Sequence, residues 1–496
     1  MNFPRLSGTL LHPTALPGSH GIGALGSEAR AFVDFLAKAG QGVWQILPLG
    51  PTNFGDSPYN ALSAFAGNPL LLDLPTLAQW GDLSADDLAG GPAAGNRVDF
   101  PAVYRFKGER IARAADNFFG HASPDRHNDF ARFCRAQSDW LDDYALFAAL
   151  RSHFGSRSWQ QWPTPLRQRN PAALKDWGLK LAREIAAEQY RQYAFVTQWN
   201  ELKDYAGRKG VRLFGDLPIF VALDSADVWA NQSLFRLDND GRPVVVAGVP
   251  PDYFSATGQR WGNPLYRWET HRADGFTWWL ARFRHELQRA DLVRIDHFRG
   301  FEACWEIPAN EPTAVNGSWR QAPGAELFRR LHSVSPQLPI VAEDLGVITP
   351  EVEKLRHEFG FPGMKILQFA FDSGPGNPYL PHNYETGCVV YTGTHDNATT
   401  CGWWNALEDS QRKQVAVCLG KPHPEIPWDL IRLAMASVAR LCIIPCQDLL
   451  ELDDSARFNR PGEANGNWQW RLQPGQLTQG LAERLRLLAE TYNRCH

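Results

Sequence analysis

No apolar run in this chain approaches the roughly 18 residues that a membrane span needs, and Met1-Asn2-Phe3-Pro4-Arg5 lacks the apolar stretch of a secretory leader. A cytoplasmic protein, neither exported nor inserted in a membrane, is the expectation. Basic clusters are missing as well: the formal charge is -4, and no run of Lys and Arg is available to collect nucleic-acid phosphates. A neutral polymer is the more natural partner. The eight cysteines form neither a C-x-x-C pair nor a repeated frame, which points to reduced, structural thiols. His12, His20, His271 and His382 have no catalytic metal spacing, and Cys442 and Cys446 lie in an apolar run, so no metal and no other cofactor is expected. Internal repeats and low-complexity tails are also lacking.

What is present is a long chain rich in aromatic residues. At 496 residues, 44% of them hydrophobic, it has enough material for a large core or one large barrel with insertions. Most of its 19 tryptophans, 12 tyrosines and 28 phenylalanines must be buried; the rest can line a groove, where a flat ring stacks on the apolar face of a sugar.

Eight short apolar runs each lead into a polar or Gly/Pro segment: Leu10-Leu11, Val43 to Leu47, Val211 to Phe214, Leu292 to Ile295, Ile340 to Ala342, Met364 to Phe369, Cys388 to Tyr391 and Leu441 to Ile444. This is the form of buried parallel strands. Apolar stripes at helical spacing precede two of them, Ala31, Phe32, Phe35 and Leu36 in one, Phe276, Trp279, Leu280, Phe283 and Leu287 in the other. The pattern predicts an α/β fold, a (β/α)8 TIM barrel spanning 1–496 as a single catalytic unit, with long βα loops over the active site. Two gaps are too long for simple connections. Residues 75–205 read as a mainly helical insertion, with helices from Trp140 to Leu150 and Leu179 to Trp199. Residues 219–268 are turn-rich and irregular and read as an insertion and substrate-covering loop.

Acids stand at the ends of several predicted strands. In Val293-Arg294-Ile295-Asp296-His297-Phe298-Arg299-Gly300, period-2 geometry puts Arg294 and Asp296 on one side of a strand end, where the guanidinium favours the ionised carboxylate. A purely structural Arg294–Asp296 pair is the alternative; His297 and Arg299 either bind neighbouring hydroxyls or point elsewhere. Glu343 follows the apolar Pro339-Ile340-Val341-Ala342, which is suited to burying a carboxyl and raising its pKa. Only one of Glu343 and Asp344 can face the cavity; the longer Glu343 suits proton delivery, and Asp344 suits a helix N-cap. Asp396 follows His395 after a buried strand. Asp216 ends a fourth strand, and Tyr59 follows the second; either can be a sugar contact or a loop-fixing residue. Carboxyls of unlike environment converging on one centre are what glycosidic-bond chemistry requires. Gly21-Ile22-Gly23-Ala24-Leu25-Gly26 matches a dinucleotide fingerprint, but the next strand lacks the terminal acid for a ribose, so it reads as a tight βα loop.

These residues carry a full-length resemblance to the amylomaltases, the 4-alpha-glucanotransferases or disproportionating enzymes of the alpha-amylase superfamily, in the compact form that starts almost directly with the barrel. The matching segments include Trp44 to Thr52, Asp56-Ser57-Pro58-Tyr59, Ser63 to Pro69, Gly215 to Ile219, Gly248 to Pro264, Arg294 to Gly300, Ala342 to Gly346 and Gly393 to Asn397. The resemblance implies Asp296 as nucleophile, Glu343 as acid/base and Asp396 as transition-state stabiliser. It implies substrate contacts from Tyr59, Asp216, Arg294 and His395, and a loop over the cleft with Tyr253, Phe254 and Trp261 available for sugars. His297 is a weaker candidate of the same kind. The implied activity is retaining transfer of an alpha-1,4-glucan segment, through a covalent glycosyl-enzyme, to the 4-hydroxyl of glucose or another glucan, with cyclisation of long chains. Partners would be malto-oligosaccharides, amylose, starch- or glycogen-derived glucans and glucose; the oligomeric state stays open. An alpha-1,4-glucan hydrolase on the same scaffold and an inert starch-binding protein are the alternatives. The chain departs from the usual pattern at Ala398, Cys304, Arg320 and Gln321, none of them one of the three implied catalytic acids.

Overall fold

Twelve strands organise the computed structural model, which describes residues 4–251, 255–463 and 465–495. In chain order they are β1 (Leu6–Leu10), β2 (Val43–Gln45), β3 (Arg212–Pro218), β4 (Val245–Val249), β5 (Gln259–Pro264), β6 (Leu292–Asp296), β7 (Ala303–Pro308), β8 (Ser318–Gln321), β9 (Ile340–Ala342), β10 (Gly363–Ile366), β11 (Cys388–Tyr391) and β12 (Leu441–Pro445). Eight of them form one parallel sheet in the order β10-β11-β12-β1-β2-β3-β6-β9. Seven of them lie on apolar runs read from the sequence, while Leu10-Leu11 marks only the end of β1, which begins at Leu6; each is short and largely buried because both faces of a barrel wall are covered. The walls pack closely: a Cβ on Gly8 of β1 would lie 2.3 Å from the Val43 carbonyl oxygen of β2.

The sheet is a nearly closed barrel. Between its two end strands, the Ala342 N–H of β9 donates to the Pro362 carbonyl at 2.8 Å, and the Met364 N–H of β10 donates to the Asp344 carboxylate at 2.7 Å. Asp344 thus completes the seam where a ladder bond is missing. It does not cap a helix: the next helix, Pro350–Glu358, has Thr349 at its N-cap, so the N-cap reading of Asp344 is corrected.

Helices wrap the barrel. Ser27–Lys38 buries Ala29, Phe32, Val33, Phe35 and Leu36, with Phe32 set edge-on to Trp44 of β2 at 4.9 Å. Gly26 precedes it against the Asp73 carboxylate, which a Cβ there would meet at 2.2 Å. The space a dinucleotide phosphate would use is filled by an acid, whose own partners are the N–H and hydroxyl of Thr76. Between β2 and β3 lie the long helices Phe100–His121, Pro124–Ala136, Ser138–His153 and Ala182–Arg208. The first two begin on Asp99 and Ser123 caps followed by proline, a strong start signal. Ala182–Arg208 docks through two buried glutamines: Gln192 exchanges two hydrogen bonds with the Gly67 backbone, and Gln198 does the same with Asp73. Such pairing satisfies backbone groups that would otherwise be buried unpaired.

Residues 219–268 are more regular than the sequence implied. They contain β4 and β5, which join β7 and β8 in a small antiparallel sheet ordered β5-β4-β7-β8. Gly248, Gly262 and Pro264 read as turn residues, yet β4 is held by a strand some 60 residues later, Val245 facing Pro308 and Gly248 facing Trp305. Non-local pairing overrode the local signal.

Candidate active site

The candidate residues converge at the carboxyl ends of the barrel strands, where loops from several strands share one opening. Register sets the first pair: Asp216 of β3 lies directly beside Arg294 of β6, and Pro218 beside Asp296. Arg294 and Asp296, two apart on β6, then face the same way.

From Asp296 a continuous line of side chains crosses the barrel mouth. Arg294 Nη2 donates to Asp296 Oδ1 at 2.7 Å, and Arg294 Nη1 donates to both oxygens of Asp216 at 2.8 and 2.7 Å. Tyr59 donates its hydroxyl proton to Asp216 Oδ2 at 2.6 Å and lies 2.9 Å from His395 Nε2. With the tyrosine proton committed to Asp216, His395 must carry its proton on Nε2 and donate to the phenol oxygen. The same Nε2 stands 3.3 Å from Asp396 Oδ1. Tyr59 and His395 also stack, 5.3 Å apart and 10° from parallel. Asn459 Nδ2 donates to this same Asp396 Oδ1 at 2.6 Å, and Arg457 donates to the Asp396 backbone carbonyl at 2.6 Å.

Pairing and burial oppose each other along this line. Burial opposes the charged Arg294 guanidinium, but Asp216 and Asp296 outweigh it and hold it firmly protonated. Burial pushes the Asp216 carboxyl up to about 7, against the pull of Arg294. His395 is driven down by burial, which outweighs Asp396, and is neutral near pH 7.

Glu343 is held differently. Its Oε2 accepts the His297 N–H at 2.6 Å and its Oε1 accepts the Leu345 N–H at 2.9 Å. The first bond depends on an unusual backbone: His297, immediately after Asp296, is left-handed with φ 54° and ψ 51°, a conformation that costs a non-glycine residue on the order of 1 kcal/mol or more. Burial raises the Glu343 carboxyl to about 7, with the nearby Asp296 charge adding to it and Arg294 and the two N–H groups opposing it. Asp344 points the other way, to Met364 and to Arg356 at 3.3 Å. An acid gripped by a guanidinium beside an acid pushed up by burial is the unequal pair that glycoside chemistry uses.

On the rim, Trp261 of β5 is 39% exposed and meets the His297 ring edge-on at 4.9 Å. Burial lowers the His297 imidazole to about 4. Tyr253 and Phe254 lie outside the described residues. Sequence reasoning missed Asn459 and Arg457, which brace Asp396, and Trp468, tilted against Tyr59 at 6.0 Å. They come from a loop with no strand-end signature; the left-handed φ of 64° at Trp468 was likewise invisible. Among the described residues no group of three or more His, Cys, Asp or Glu side chains could hold a metal ion, and no helix is long and apolar enough to cross a membrane.

A nearly closed parallel barrel with clustered acids at its carboxyl face defines a carbohydrate-active enzyme class, and comparison with known proteins agrees. The chain belongs to glycoside hydrolase family 77, described as 4-alpha-glucanotransferase, whose model matches residues 11–478. It is 52% identical to a 4-alpha-glucanotransferase of Thermus thermophilus over 502 aligned positions that cover all of both chains. It is also 52% identical to one from Synechocystis, covering 99% of this chain and 98% of the other. In structure it is similar to the amylomaltase of Streptococcus agalactiae solved with acarbose, at a TM-score of 0.96 and 40% identity, covering 99% of this chain and 100% of that one.

Proposed function

We propose that the protein is a 4-alpha-glucanotransferase that moves an alpha-1,4-glucan segment from a malto-oligosaccharide or starch-type donor to the 4-hydroxyl of glucose or another glucan, with retention and with cyclisation of long chains. The observation that carries this reading is the contrast between Asp296, bonded to a charged guanidinium, and Glu343, raised to about 7 by burial.

Glu343 donates its proton to the glycosidic oxygen as that bond breaks, and Asp296 forms the new bond to the anomeric carbon, giving a covalent glycosyl-Asp296 and freeing the reducing-side fragment. Glu343, now a carboxylate, takes the proton of the incoming 4-hydroxyl as it displaces Asp296. Asp396, braced by Asn459, accepts hydroxyls of the reacting ring and binds them best as the ring flattens, which is what accelerates the step. Tyr59, Asp216, Arg294 and His395 hold these groups in place and contact the sugar. His297 and Trp261 cover the acceptor side, where a well-positioned sugar must outcompete water for the intermediate. A relative that binds acarbose, as the Streptococcus agalactiae amylomaltase does, is consistent with this reading.

Incubation with maltotriose alone tests it. Transfer yields glucose together with longer oligosaccharides. Hydrolysis to glucose and maltose without any longer product would favour the alpha-1,4-glucan hydrolase instead, and retention of glucan with no product would favour an inert binding protein. On this reading the enzyme works in the cytoplasm on soluble glucans.

A further inference from the structure

Two segments leading away from the site meet at Arg299. This arginine lies in the helical turn Phe298–Phe301, just after Asp296, and is buried. Its Nη1 donates to the Val347 carbonyl, in the loop that continues from Glu343. Its guanidinium carbon sits over the ring of Trp319, 3.7 Å from the centroid. One face of Trp319 is therefore covered and fixed, while 40% of the residue stays open. Trp319 stands on β8, an edge strand whose four residues are all exposed, so the face of its ring not covered by the guanidinium is open to a ligand.

The ring is also tied to the substrate-covering region. Trp319 is the cross-strand partner of Trp305, the two rings meeting at 5.2 Å. Trp305 Nε1 donates to the Ala314 carbonyl, and the Ala314 N–H donates to Thr257. Among the described residues, the large exposed apolar side chains include Trp261 on β5 and Trp319 on β8, the two edge strands of the small sheet, and Val315, next to Ala314.

We propose that Trp319, backed by Arg299, is a distal acceptor subsite that stacks a glucose unit lying on the reducing side of the ring whose 4-hydroxyl reacts. The inference rests on the glucanotransferase reading above. Glu343 serves both the departing fragment and the incoming hydroxyl, and the loop that follows it reaches Arg299 through the Val347 carbonyl, which ties Trp319 to the segment carrying Glu343. An indole offers an apolar face to a pyranose, and the exposed Arg320 and Gln321 beside it supply donors for hydroxyls.

The test compares acceptors on the full-length enzyme with maltosyl fluoride as a fixed donor. The quantity read is the ratio of acceptor specificity constants, maltotriose over glucose, because glucose does not reach beyond the first acceptor position. The unmodified enzyme should favour maltotriose. Trp319→Leu, which keeps a large apolar side chain on the strand, should lower the ratio about tenfold, whereas Trp319→Tyr, which keeps a flat ring, should hold it within about twofold. An unmodified enzyme with no preference for maltotriose overturns the subsite without any substitution, as does a ratio in Trp319→Leu equal to that of the parent. An unmodified enzyme that passes maltosyl to neither acceptor overturns the glucanotransferase reading instead.

Discussion

The two halves of the site hold their acids by opposite means. On one side Asp296, Arg294, Asp216, Tyr59, His395 and Asp396 form an unbroken line of side-chain contacts from 2.6 to 3.3 Å. On the other, the Glu343 side chain has, among the described residues, two backbone N–H groups as its hydrogen-bond partners, one of them aimed by the left-handed His297. Asp296 bonds directly to the charged guanidinium, whereas Glu343, held by neutral donors in a buried place, can gain and lose a proton near neutral pH. On the proposed mechanism the first is the nucleophile and the second the acid/base.

Breaking the line at its start should have the largest effect. Asp296→Asn is expected to lower transfer from maltotriose at least about 10⁴-fold with the fold intact, since it removes the attacking oxygen. Glu343→Gln, on the opposite side, should cost about 10² to 10⁴ on maltotriose. It should recover most of its bond-breaking rate with a glycosyl fluoride, whose departing fluoride needs no protonation. Equal losses on both donors would erase the distinction between the halves.

Titration sharpens the same contrast. Glu343 is held near 7 rather than its ordinary 4.5, so bond breaking on maltotriose should fall as pH rises through about 7, and Glu343→Gln acting on the fluoride should lose that limb. The sign for stability is opposite to that of a salt-bridged acid. A raised carboxyl favours the fold fully below its unfolded value, and that contribution is lost as pH rises through the folded value. Glu343→Gln should therefore melt above the parent at about pH 8, with the gap closing toward about pH 4.5. A gap that widened on acidification would contradict the buried, raised acid.

Smaller effects test the middle of the line and the rim. Tyr59→Phe deletes a hydrogen bond to a buried carboxylate and should reduce kcat about 10- to 100-fold, leaving Glu343 chemistry on its own pH limb. Truncating Trp261, or Tyr253 with Phe254, should raise glucose release relative to disproportionation on maltotriose while changing total donor consumption by less than about tenfold. An unchanged ratio would remove these aromatics from acceptor positioning.

Much of this was legible in the sequence, for identifiable reasons. Seven of the barrel strands declare themselves because each holds a short apolar run buried on both faces, whereas β1, with Ser7, Gly8 and Thr9 at its centre, shows only its end; Arg294 with Asp296 declares its shared face by spacing alone. Their alignment beside Asp216 follows from the strand register. The small sheet was hidden because β4 and β7 are distant in sequence and β5 carries the turn residues Gly262, Asn263 and Pro264. Asp344 was misjudged because the open seam between β9 and β10 is a property of the closed barrel, not of the local segment. Asn459 and Arg457 were missed because a loop residue that braces an acid 60 positions earlier carries no periodic signal.

The most direct measurement is to trap the enzyme with a slowly turning-over fluorinated maltosyl donor and map the labelled peptide by mass spectrometry. The account predicts one added glycosyl group on Asp296. A label on Asp396, Glu343 or Asp344, with Asp296 unmodified, would contradict it.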